Sequence, residues 1–245
     1  MAPASDPAPV AWVTGASGSL GGEVARDLAR RGFAVGLHAH RHPERAREVA
    51  ATLDTATSVV TADLTDAAAT AQAAASVEQA LGPIGVLVAC AGSRDDGLLI
   101  AQSPERWVDV VGVNLFGSYH ACRAVLPGML KRRSGRVVLI TSPIGLQGNA
   151  GQTAYASAKA GIVGLTRSLA RECGGRGVTV NAVAPGFIDS DITAGLSDEV
   201  REGLLRRIDL GRFTTAAEVV PTIAYLVDNG YVTGQVISVD GGAHL

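Results

Sequence analysis

A single doubly wound α/β domain, with a seven-stranded parallel sheet between layers of helices, is the fold this chain predicts. Three observations carry the prediction. Short apolar, β-branched runs alternate with longer segments of helical period from Val10 to the C-terminus, and strands buried on both faces are what a covered parallel sheet requires. Apolar residues make up 47 % of the 245 positions, enough for one sizeable core. No Pro/Gly/Ser-rich linker, charge run or internal repeat divides the chain. Residues 10–245 therefore read as one domain, behind a Pro/Ala-rich tail (1–9) expected to be disordered.

The elements follow in order. VAWVT at 10–14 is the first strand, then a glycine-rich turn and the helix GEVARDLARRG. FAVGLHA (33–39) is the second strand, with the helix ERAREVAATL after it, and TSVVTADL (57–64) is the third, followed by an Ala-rich helix near 67–81. GVLVACAG (85–92) is the fourth strand. A long helix spans about 104–133, which Pro127 should bend or interrupt. GRVVLITS (135–142), VTVNAVAPG (178–186) and QVISVDGG (235–242) complete the sheet, and YASAKAGIVGLTRSLAREC before the sixth strand reads as a helix.

Composition narrows the function classes. A formal net charge of -2 gives no global attraction to nucleic acid or to an anionic membrane. Cys90, Cys122 and Cys173 are odd in number and widely spaced, which suggests neither a disulfide framework nor a zinc site; no metal is expected. The N-terminus has neither the basic region nor the apolar run of a signal peptide, and no stretch approaches the roughly 20 apolar residues of a membrane span. A cytoplasmic protein is expected.

TGASGSLGG at 14–22 lies where the first strand hands over to the first helix. Glycines at 15, 18 and 21 let backbone amides approach a pyrophosphate, and a helix N-terminus favours negative charge there. Tight turns also use glycine for backbone reasons alone; the strand-to-helix position is what points to a dinucleotide. At the end of the second strand, where NAD-binding chains of this architecture place a carboxylate, stands His38-Ala39-His40-Arg41-His42. The Arg41 guanidinium suits a 2′-phosphate and favours NADP(H); a solvated basic loop is the other reading. Asp63, after the third strand, is an adenine partner or the cap of the next helix.

Ser142, Tyr155 and Lys159 supply a hydroxyl, a phenol and an ammonium. Tyr155 and Lys159 stand at i and i+4, neighbours on one helical face. A fixed positive charge there should lower the phenol's pKa from about 10, so that the phenol exchanges a proton with an alcohol or carbonyl. An ordinary surface helix carries such pairs too, so the rest of the chain decides.

These motifs in this order, TGASGSLG, Ala62-Asp63, ACAG at 89–92, Asn114, Ser142, YASAK and PGF at 185–187, resemble the short-chain dehydrogenase/reductase family from about Val10 to the C-terminus. Within it the chain is most similar to the 3-oxoacyl-acyl-carrier-protein reductases, through GNAGQTAYASAKAG, SLARECGGRGVTVNAVAPGFIDSDIT, LGRF and YVTGQVISVDGG. The resemblance implies a Rossmann-type fold and a catalytic group of Asn114, Ser142, Tyr155 and Lys159. Tyr155 would protonate the carbonyl oxygen that Ser142 holds, Lys159 would bind the nicotinamide ribose, and Asn114 would hold a water linking Lys159 to solvent. NADPH contacts would come from Gly15, Ser17, Gly18, Leu20, Gly21, His40, Arg41, Asp63, Leu64, Ala91, Gly92, Tyr155 and Lys159, with Pro185, Gly186, Ile188 and Ser190 around the nicotinamide.

The substrate would meet Ser142, Gln152, Tyr155 and Phe187 beneath a mobile lid at 187–212. Arg133 and Arg176 match positions that dock the acyl carrier protein, although basic residues at a helix end also complement its dipole. A homotetramer is implied, paired through the long helix and the active-site helix and through the C-terminal strand. Departures are Ser19 within the glycine turn, Gly18 where NADPH-dependent relatives carry Arg, and ACAG for Asn-Asn-Ala-Gly. Cys90 reads as a small buried apolar residue rather than a nucleophile. The expected reaction is NADPH-dependent reduction of a 3-oxoacyl group on a carrier protein, in fatty-acid or polyketide synthesis. Reduction of a free ketone, alcohol or sugar and non-catalytic dinucleotide sensing are the alternatives.

Overall fold

The computed structural model describes residues 8–189 and 197–244. Among them are seven strands: β1 Val10–Thr14, β2 Ala34–Ala39, β3 Thr57–Thr61, β4 Ile84–Ala89, β5 Gly135–Ile140, β6 Val178–Pro185 and β7 Val236–Val239. All pair in parallel, in the order β3-β2-β1-β4-β5-β6-β7. The helices are α1 Ser19–Arg30, α2 Pro43–Ala51, α3 Ala67–Leu81, α4 Pro104–Val111, α5 Gly117–Arg132, α6 Ile144–Gln147, α7 Thr153–Cys173, α8 Asp198–Leu205 and α9 Ala216–Asp228.

Alternation along the strands makes two cores, because successive strand side chains point to opposite faces. Trp12, Leu87, Leu139 and Val180 pack with Val77, Val125, Met129 and Ile162 of α3, α5 and α7. Val13, Val88, Val138 and Val183 pack with Val24, Leu28, Val219 and Ile223 of α1 and α9. Helix starts are set locally. Asp66 caps α3 by accepting from the Ala68 and Ala69 amides, Ser103 caps α4 ahead of Pro104, and Thr215 with Glu218 forms a capping box on α9. Asp63 is therefore not the cap of α3; its Oδ1 accepts from the Thr65 amide and hydroxyl at 2.9 and 2.8 Å.

The chain leaves the sheet centre along β1, runs outward to β3, then crosses back to β4. The carboxyl ends of β1 and β4 thus diverge at a switch point, where open α/β sheets bind ligands. Backbones meet closely there: a Cβ on Gly15, at φ +68°, would lie 2.7 Å from the Ala91 backbone.

The long helix expected at 104–133 is interrupted, but not by Pro127, which lies inside α5. A π turn at Gly112–Phe116 joins α4 to α5. The third strand stops at Thr61 and the last at Val239, short of the polar residues first joined to them. Residues 1–7 of the expected tail, and 190–196 of the expected lid with Ser190, lie outside the described residues. The described part of 187–212 holds α8, with Leu204, Leu205 and Phe187 packed on buried Ile208, Phe213 and Ala243.

Candidate active site

Tyr155 and Lys159 lie two residues and six residues into α7, whose first turn packs beside α6 and the end of β5. Ser142 follows β5 and is buried; its Oγ accepts from the Ile144 amide at 3.3 Å. The Ser142 hydroxyl lies close enough to the Tyr155 phenol to favour its ionised form. Both line a cavity of about 220 Å³ with Ile144, Pro185, Gly186, Phe187 and Ile188. Ser19 and Leu20 of the glycine turn line the same cavity, so the turn and the Ser/Tyr pair face one space.

The tuning of the phenol differs from the expectation. Burial raises the Tyr155 pKa, opposed by the neighbouring Ser142 hydroxyl and the Arg94 charge and joined by the Asp96 charge. Lys159 is not among the groups that move it. Its Nζ sits over the Tyr155 ring, 5.5 Å from the centroid, and donates to the Ile140 carbonyl at 2.9 Å. Burial lowers the Lys159 pKa to about 8, against a weaker raising influence of Cys90. A phenol kept protonated is fitted to donate its proton rather than to accept one.

Asn114 sits in the π turn, fully buried, and donates from Nδ2 to the carbonyls of Ser93 and Val110 at 2.6 and 2.8 Å. Its Oδ1 is buried without a partner. A Cβ on Gly92 would stand 2.8 Å from that oxygen and 3.6 Å from Lys159 Nζ, so amide, ammonium and the backbone after β4 enclose one small space. An unpaired buried acceptor beside an ammonium is suited to hold a water between them.

The glycine turn is built for close approach. A Cβ on Gly21 would lie 2.3 Å from the Gly15 carbonyl oxygen, whereas one on Gly18 would meet nothing nearer than 3.4 Å. Ser19 starts α1 with its side chain exposed to the cleft. Beneath the turn lies the first residue of the His38–His42 stretch, which is buried and not part of a basic loop. His38 is 1 % exposed; its Nδ1 accepts from the Gly15 amide at 3.3 Å and its Nε2 donates to the Ala62 carbonyl at 3.0 Å. Those partners fix the neutral tautomer, and burial lowers its pKa below the ordinary 6.5. Its one available signal was its place inside a strand buried on both faces.

His40 and Arg41 are exposed at the end of β2, and both charges help lower the Asp63 pKa, whose largest cause is the Thr65 amide. Leu64 is buried. Gln152 is not among the residues lining the cavity. It is buried, accepts from Asn149 at 2.8 Å and donates to Asp96 Oδ1 at 2.9 Å. Arg94, which motif reading missed, does line the cavity and pairs with Asp96 at 3.7 Å. Arg133 and Arg176 come to one exposed corner, where Arg133 donates to the Gly175 carbonyl at 3.1 Å. Cys90 is part-buried, and burial pushes its thiol up to about 12, which makes it a poor nucleophile. No group of three or more potential metal ligands exists among the described residues, and no described helix is long and apolar enough to cross a membrane.

A glycine turn at the switch point of a parallel sheet, facing a Ser/Tyr pair with a buried lysine behind it, is the arrangement of a dinucleotide-dependent α/β oxidoreductase. A family model described as short chain dehydrogenase matches residues 9–201, and the chain belongs to that family. Over 242 residues it is 45 % identical to the 3-oxoacyl-(acyl-carrier-protein) reductase FabG of Pseudomonas aeruginosa, covering 96 % of this chain and 97 % of the relative. The reductases of the same name from Staphylococcus aureus and Escherichia coli K12 are 39 % and 37 % identical, each over 96 % of this chain and 98 % or 97 % of the relative. Membership implies a nicotinamide dinucleotide. The close-approach glycines at 15 and 21 and the unpaired Asn114 Oδ1 fit such a group at the cleft.

Proposed function

We propose that the chain reduces a 3-oxoacyl group, delivered on an acyl carrier protein, to the 3-hydroxyacyl product with NADPH. The observation that carries this reading is the cavity itself, which Ser142 and Tyr155 line together with Ser19 and Leu20 of the glycine turn. Near-complete coverage of relatives bearing that activity in their name supports the substrate.

NADPH, when bound, supplies the hydride. The turn from Gly15 to Gly21, with Ser17 and Leu20, would hold its pyrophosphate, and Asp63, Leu64, Ala91 and Gly92 would line the adenosine side. His40 and Arg41 would hold the 2′-phosphate: no carboxylate stands at the end of β2 to repel it, and a guanidinium binds phosphate oxygens in a fork. Lys159 would take the ribose, and Pro185, Gly186 and Ile188 the nicotinamide face.

Ser142 and Tyr155 would hold the ketone oxygen, where negative charge grows as the carbonyl is reduced; donors placed beforehand stabilise that charge. Tyr155 then gives its proton to the oxygen. Burial keeps that proton on the phenol at neutral pH. A water on Asn114 Oδ1 and the Lys159 ammonium would return it from solvent.

Arg133 and Arg176 would meet the acidic carrier, and subunits of a homotetramer would pair through α7 and the α4–π turn–α5 stretch, where Val108, Phe116 and Tyr119 are exposed, and through β7 and the tail after it. The test is oxidation of NADPH and of NADH with acetoacetyl-carrier protein beside free ketones. Turnover with NADPH and the carrier-bound substrate is expected; turnover with NADH alone overturns the cofactor. Reversing Arg133 and Arg176 to Glu should raise KM for carrier-bound substrate and leave KM for a small ketone unchanged. Equal effects on both would remove the docking site.

A further inference from the structure

We propose that Arg94 is a specificity residue whose guanidinium hydrogen-bonds the acyl carbonyl of a 3-oxoacyl thioester while Ser142 and Tyr155 hold the ketone oxygen. The proposal rests on the 3-oxoacyl reading above.

Arg94 is the one charged side chain among the described residues that line the cavity; Leu20, Ile140, Ile144, Phe187 and Ile188 make most of the rest apolar. Arg94 stands at the open edge of this wall, with its side chain 32 % accessible, so its guanidinium can reach an acceptor in the cavity from the solvent side. A 3-oxoacyl thioester carries two carbonyl oxygens separated by three carbons of chain. Once one oxygen is held at the Ser/Tyr pair, the other must fall within the same small cavity.

The arginine is also aimed. Its Nε lies 3.7 Å from the Asp96 carboxylate. Asp96 accepts from Gln152 Nε2 at 2.9 Å, Gln152 is buried and accepts from Asn149, and the Gln152 carbonyl accepts from the Ala156 amide at 2.7 Å. That relay ties Arg94 to the first turn of α7, the turn that carries Tyr155. The terminal amino groups of Arg94 make no hydrogen bond among the described residues, so the donor fork remains available to a ligand. Held at the acyl oxygen, the substrate presents one face of its ketone, and a free monoketone offers Arg94 nothing.

The test is a cycle of enzyme variant against substrate carbonyl. Wild type, Arg94→Ala and Arg94→Lys are compared on acetoacetyl-pantetheine thioester and on the thioether analogue that lacks the acyl oxygen. The readout is kcat/KM at saturating NADPH, or the competitive inhibition constant where thioether turnover is too slow. Arg94→Ala should lower kcat/KM for the thioester by about 30-fold, the loss expected for a charge-assisted hydrogen bond. It should change the thioether by less than about 3-fold, with Arg94→Lys between wild type and Arg94→Ala on the thioester. An equal fall on both substrates would mean that Arg94 acts only through Tyr155 or the fold, and an unchanged thioester would mean that it does nothing; either overturns the proposal. Unchanged NADPH affinity controls for folding. If the wild type reduces no 3-oxoacyl thioester, the reading of the reaction fails before any variant is compared, and this assignment falls with it.

Discussion

Lys159 is strained by its position. Its folded pKa of about 8 lies below the ordinary 10.5 because burial penalises the ammonium. A depressed pKa means that folding favours the neutral amine. The stability this residue allows is fully present above pH 10.5, falls as the pH drops toward 8, and is lost below it. At pH 7 the burial penalty is on the order of 3 kcal/mol, offset in part by the bond to the Ile140 carbonyl. Lys159→Met should therefore abolish turnover yet leave the protein as stable or more stable at pH 7, by about 1–2 kcal/mol in urea unfolding. Loss of stability in that variant would mean the ammonium is well compensated where it lies. The sequence placed Lys159 beside Tyr155 correctly, since i and i+4 share a helix face. It could not show that the ammonium turns to a strand carbonyl, because that depends on the burial of β5 against α7. The places of His38 and Arg94 were illegible for related reasons: neither belongs to a spaced motif, and tertiary packing alone brings them to the turn and the cavity.

At the level of elements, the strands were legible because apolar, β-branched runs have few other uses, and their ends blurred only where polar residues followed. The π turn was not. GVNLF keeps the same apolar period as the helices on either side, and the switch to a wider turn, which is common at functional sites, is set by what packs on it. That packing includes α7 through Gly161, where a Cβ would press Leu115 at 2.7 Å. The meeting of α6 and α7 is tighter still. A Cβ on Gly145 would lie 2.7 Å from both the Lys159 carbonyl carbon and its Cβ, and neither can move without moving α7. Gly145→Ala should cost about 1–3 kcal/mol, visible as a Tm drop of about 2–4 °C per kcal/mol, and should lower kcat by displacing Lys159. Gly22→Ala in α1 is the control: its methyl would meet nothing nearer than 3.4 Å, so a neutral or stabilising change is expected. A drop as large in the control would show that the cost belongs to glycine loss in general.

The whole molecule converts an alternating sequence into one crevice. The crossover from β3 back to β4 sets the glycine turn, the β4 exit and the β5–α7 segment around a common space. Ser142, Tyr155, Lys159 and Asn114 come from three separate stretches of chain and meet only because the sheet order is β1-β4-β5 at its centre. The spacing of Ser142, Tyr155 and Lys159 was readable before the fold; their surroundings were not. The central claim is that the Tyr155 proton completes the reduction while the rest of the site binds independently of it. Its most direct measurement is turnover of NADPH and acetoacetyl-carrier protein by wild type and Tyr155→Phe, with the NADPH Kd of each determined by titration. The account predicts a fall in kcat of about 100-fold or more with the Kd nearly unchanged. Turnover retained in Tyr155→Phe would contradict it.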